Sequence, residues 1–60
     1  MAASVGYDRR TATLEIEFHS GEIWQYLEVE ENVYQELIKG SIGKYFQANI
    51  KGIYEEARVR

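Results

Sequence analysis

Sixty residues carrying a net charge of −3, with no cysteine and one histidine, exclude a disulfide scaffold, a zinc knot and a multidomain enzyme. A chain this short buries only about 60% of the surface its unfolded form exposes. Its core must therefore be dense, and the candidates to fill it are eight aromatic residues: Tyr7, Phe18, Trp24, Tyr26, Tyr34, Tyr45, Phe46 and Tyr54.

In chain order, Val5 and Tyr7 alternate with Ser4 and Gly6, and Asp8-Arg9-Arg10 then breaks the pattern, which reads as a strand and a turn. A second strand starts at Thr11. Ala12, Leu14, Ile16 and Phe18 point to one face and Thr11, Thr13, Glu15 and Glu17 to the other, the period of two of a half-buried strand. His19-Ser20-Gly21 is a hairpin loop, with Gly21 suited to a positive φ. Its length sets the third strand's register, because a slip of one residue turns every side chain over. With a three-residue loop Phe18 faces Glu22, Ile16 faces Trp24 and Leu14 faces Tyr26, so both aromatics join the core. With a two-residue Ser20-Gly21 loop Phe18 faces Ile23, and Trp24 and Tyr26 form an exposed platform. We favour the first, since two large buried rings supply area that so short a chain otherwise lacks.

After Leu27 the period becomes helical. Val29, Val33 and Leu37 recur at every fourth position, with Tyr34 and Ile38 beside them; Lys39 falls in the last turn and Gly40 is placed to take a left-handed cap. Ser41 is suited to N-cap a second helix from about Ile42 to Ile50, with an inner stripe of Ile42, Tyr45, Phe46, Asn49 and Ile50. Lys44, Gln47 and Lys51 share its other face, and Gly52 ends it. The tail is expected to dock through Ile53 and Tyr54 and then fray. The fold class is thus α+β: a three-stranded antiparallel β-meander followed by two short helices packed on one face. Residues 1–60 form one domain, with 1–3 and 55–60 frayed.

Catalysis finds little support. His19 and Ser20 are adjacent in a tight turn and cannot build a triad by themselves. Glu15 and Glu17 lie on a solvated strand face, and Glu30-Glu31 and Glu55-Glu56 are adjacent acids in exposed segments. Gly40-Ser41-Ile42-Gly43-Lys44 is not a phosphate loop, which has four residues between its glycines and a Ser or Thr after its Lys. We expect no enzyme activity, no cofactor and no metal. No stretch approaches the roughly 18 apolar residues of a membrane span, and Met1-Ala2-Ala3-Ser4 has neither the basic nor the apolar part of a signal peptide, so a cytoplasmic location is expected.

The charge is polarised. Residues 11–36 carry seven Glu and no Lys or Arg, whereas residues 37–60 carry Lys39, Lys44, Lys51, Arg58 and Arg60 against Glu55 and Glu56. That basic third is where phosphates would be met, through Lys39, Lys44, Gln47, Lys51 and Arg58, with a further phosphate at the free N–H groups opening the second helix.

The order Leu14-Glu15-Ile16-Glu17-Phe18-His19-Ser20-Gly21, Trp24-Gln25-Tyr26, Val33-Tyr34-Gln35-Glu36-Leu37, Gly43-Lys44-Tyr45-Phe46-Gln47 and Ile50-Lys51 resembles the KTSC domain. That family is named for the C-terminal domain of some lysyl-tRNA synthetases and also occurs as small stand-alone bacterial and phage proteins. The likeness spans roughly Ser4 to Tyr54. The family's central Tyr-x-Tyr falls on Trp24-Gln25-Tyr26, with Trp in the first place. Glu30 stands where a Pro often opens the first helix, and Gln47 where Asn is usual. The resemblance implies no catalytic residue, and RNA or tRNA as a partner only through the company of a synthetase. Two functions are therefore carried forward. One is an RNA-interacting or tRNA-interacting module using the second helix, with Trp24 and Tyr26 as core or as a stacking surface. The other is a homodimerising or protein-docking module using Ile23 and Leu27, exposed away from the helices on an edge strand.

Overall fold

The structure, a computed structural model, describes residues 2–60. Its elements are β1 (Ala2–Asp8), β2 (Thr13–Phe18), β3 (Ile23–Tyr26), α1 (Glu31–Lys39), α2 (Ile42–Asn49) and β4 (Glu56–Arg58). The strands make one antiparallel sheet in the order β1-β2-β3-β4, and residues of both helices pack with one of its faces in the core.

The hairpin between β2 and β3 has the three-residue loop. Phe18 donates its N–H to Glu22 at 2.8 Å, Gly21 donates to Phe18 at 2.9 Å, and Gly21 takes φ 95°. Leu14 consequently pairs with Tyr26 and Ile16 with Trp24, which puts both aromatics on the helix side. The buried core comprises Leu14, Ile16, Tyr26, Val29, Leu37, Phe46 and Ile50. Phe46 is its hinge: its ring meets Tyr26 edge-on at 5.4 Å and Phe18 at 5.9 Å, the geometry favoured by opposed ring quadrupoles. Ser41 caps α2 as expected, accepting from the Lys44 N–H.

Several expectations need correction. The sheet has a fourth strand, so its three-stranded description is one short. Leu27 donates to Glu55, Ile23 to Arg60 and Val59 to Ile23, at 2.9, 2.8 and 2.7 Å. The alternation Glu56-Ala57-Arg58-Val59 suits a strand, and it meets a β3 edge that would otherwise leave polar backbone groups unpaired. Ala2 and Ala3 likewise lie within β1, so the sheet extends into both segments expected to fray; Met1 lies outside the described residues. With β4 in place β3 is interior, and Ile23 and Leu27 are half-buried rather than exposed at an edge.

β2 opens at Thr13 rather than Thr11, because residues 9–12 form the loop. Asp8 accepts from the Arg10 N–H at 2.9 Å, and Ala12 lies in the left-handed region at φ 54°. Val29 is fully buried but precedes α1. Its N–H donates to Ala12 and its carbonyl accepts from the Tyr7 hydroxyl at 2.6 Å. Gly40 does not adopt a left-handed cap, having φ −138°. Lys51 falls beyond α2 rather than on it. Ile38 and Ile53, expected to pack inward, are exposed at 44% and 64%; Tyr54 does dock, donating to Glu30 at 2.9 Å.

Candidate functional site

Ser41 starts α2, and the helix presents Lys44 and Gln47 to solvent while Phe46 and the C-cap residue Ile50 enter the core. Lys51 follows in a turn, but its N–H still bonds back to the Phe46 carbonyl at 2.9 Å. That bond keeps it on the Gln47 side. Among the described residues neither Lys44 nor Lys51 has an ion-pair partner. Lys44 shares a shallow concavity with Lys39 around Gly40 and Ser41, but Lys39 is held by Glu36 at 3.2 Å. Arg58 stands apart on β4, opposite Trp24, its Nε donating to the Arg60 carbonyl. Of the five residues expected to meet phosphate, the fold gathers Lys44, Gln47 and Lys51, sets Lys39 beside them and leaves Arg58 outside. The helix start offers less than expected, since the Lys44 N–H is already taken by Ser41.

Beside this stripe runs an open groove of about 370 Å³. Phe18, Trp24, Tyr26 and Phe46 line it with rings, and Glu22, Gln47, Lys51 and Glu56 supply its polar groups. Trp24 is thus neither wholly architecture nor a free platform: it is half-buried and lines the groove. Its indole Nε1 donates to Glu22 at 2.9 Å, which fixes the ring's orientation. Tyr26 is only 3% exposed, yet its hydroxyl has no protein partner among the described residues and is not sealed from solvent. Burial, and then the nearby Glu56 carboxylate, push its pKa up to about 12. Both effects disfavour the phenolate.

Glu22 and Glu56 were missed as site residues. Glu22 follows from the three-residue loop, which places it opposite Phe18. Glu56 needed β4, whose only signal was the alternation in a tail read as frayed. A second concavity, on the open sheet face between Asp8, Thr13, Glu15 and Gln25, has acids and hydroxyls but no base, so it repels phosphate. Among the described residues no helix is long and apolar enough to cross a membrane, and no cluster of three or more acids or histidines is arranged to hold a metal ion.

Fold and groove together define a small α+β domain with an aromatic cleft beside a basic helix face. The KTSC domain model matches residues 1–54, and the chain belongs to that family. A crystal structure of a KTSC domain protein from Yersinia pestis is similar at a TM-score of 0.90 and 33% identity, over 95% of this chain and 82% of that one. No curated protein matches. The family match ends before β4, the one strand that the sequence did not announce.

Proposed function

We propose that this domain is a non-catalytic module that binds single-stranded or looped RNA, tRNA included, along the exposed side of α2. The observation that carries the reading is the side-by-side placement of Lys44, Gln47 and Lys51, with both lysines unpaired, along an aromatic groove. Cations tracking a backbone next to rings on which bases stack are the two components of single-strand recognition. The synthetase company of the resembled family points the same way. The other reading, self-association or protein docking, drew on Ile23 and Leu27 as an exposed pair at a sheet edge. β4 occupies that edge, and the pair is half-buried.

The test is an amide-shift titration with short RNA and with tRNA, at low and at physiological salt. The Lys44, Gln47 and Lys51 amides should move at low salt and move less at physiological salt, because phosphate contacts release counterions. If α2 is unmoved at low salt, the reading is wrong.

A further inference from the structure

The groove carries chemistry that a phosphate-binding stripe does not require. A site that only followed a backbone would do better without Glu22 and Glu56, since both repel phosphate. Their places differ, however. Glu22 is committed to the Trp24 indole, whereas Glu56 has no hydrogen-bond or ion-pair partner among the described residues. Next to it is the unpartnered Tyr26 hydroxyl. The groove therefore sets a free acceptor beside a free donor, over a floor of rings held in place by packing. At about 370 Å³ it lies within the roughly 300–1,000 Å³ of small-ligand sites.

Among the nucleobases, that pairing of groups has a complement. The Watson–Crick edge of guanine presents two adjacent donors, N1–H and the N2 amino group, with the O6 acceptor next to them. Adenine and cytosine each offer one amino donor beside an acceptor nitrogen, which a carboxylate repels. Uracil has a single donor flanked by two acceptors. A carboxylate can accept two hydrogen bonds side by side, and only guanine fills both.

Resting on the reading of α2 as the phosphate-binding face, we infer that this groove takes one unpaired guanine of the bound strand, stacked against Trp24 and read by Glu56. The Tyr26 hydroxyl faces the O6 side as donor. Like any phenol it is protonated at neutral pH and so has a proton to donate. A cationic side chain is the rival occupant of a cleft with rings and carboxylates; Lys51 in the lining opposes it, and arginine amide is the probe that tests it.

Trp24 is the only tryptophan, so its fluorescence reports on the groove directly. The full chain is titrated at low salt with short uridine oligoribonucleotides carrying one central guanine or one central adenine. The guanine strand should bind roughly tenfold more tightly, the discrimination typical of a good paired contact to a base edge, and should quench Trp24. Glu56→Gln should bring the two strands to within about twofold of each other; Glu56 is exposed on the edge strand, so the fold does not depend on its charge. Lys44→Ala, outside the groove lining, should weaken both strands and leave their ratio unchanged. Deoxyribonucleotide versions should keep the ratio, since the contacts are to the base, and a ratio seen in DNA alone overturns the RNA assignment. Equal affinities, a ratio that survives Glu56→Gln, or stronger quenching by arginine amide than by the guanine strand each overturn the inference while leaving the α2 reading intact. If no strand moves any α2 amide, both fail.

Discussion

Tyr26 and Tyr7 show how much one hydroxyl can decide. The Tyr7 hydroxyl donates to the Val29 carbonyl at 2.6 Å while its ring stacks on Tyr34 at 4.9 Å, which ties β1 to the segment entering α1. Tyr26 is more deeply buried than Tyr7, yet its hydroxyl is unpartnered where the ring borders the groove. Its raised pKa has a consequence for stability. The unfolded chain ionises near the ordinary value of 10.0, but the folded one not until about 12, so folding favours the protonated form. That contribution is fully present below pH 10.0 and is lost as the pH rises toward 12. Tyr26→Phe, which keeps the ring and removes the titrating group, should flatten the alkaline decline measured by urea denaturation across this window. An unchanged slope would mean that the decline originates elsewhere.

At the scale of elements, the two ends of β3 matter most. At one end Gly21 turns the chain with its left-handed backbone, and the loop's length decides which face carries Trp24. At the other, β4 arrives only after both helices have been laid down, and it closes β3 through hydrogen bonds from Ile23, Leu27 and Val59. Deleting residues 55–60 removes these three bonds, a fourth from the Arg60 N–H to Ile23, and the β3–β4 ladder between them. At about 0.5–1.5 kcal/mol net each, the four alone amount to roughly 2–6 kcal/mol, comparable to the roughly 3–5 kcal/mol a core of this size supplies. The urea midpoint should fall sharply, and the Trp24 emission should shift to the red as its β4 neighbour leaves. A truncated chain with the full-length midpoint would show that β4 contributes nothing net.

For the whole molecule, the charge pattern matters more than the net charge. The −3 total disfavours polyanions at long range, yet Lys44 and Lys51 stand together and unpaired on one side. Contact there should depend steeply on salt, with a slope in log affinity of about 0.7 for each single-strand phosphate contact. The K44A/K51A variant should therefore lose about 1.4 from that slope if each lysine meets one phosphate, as read from fluorescence titrations over a range of salt. A slope equal to that of the parent chain would place the phosphates on some other surface.

The sequence by itself determined what rests on local pattern: the alternation of β2, a tight turn at His19-Ser20-Gly21 whose length it left open between two and three residues, the Ser41 cap, and the common side of Lys44 and Gln47 on α2. Each is a relation among residues a few positions apart, so spacing and turn chemistry suffice to read it. Tertiary structure decided what depends on distant neighbours. Val29 matched the helical stripe and is buried, but bonds from Tyr7 and Ala12 hold it outside α1. Glu56-Ala57-Arg58 is a strand because an open β3 edge lies within reach. The groove exists because β4 sets Glu56 on the same side as Lys51 and Trp24. Backbone groups in a short, weakly apolar tail have no local reason to prefer a strand over water, so only the presence of a partner edge could order that tail and complete the site.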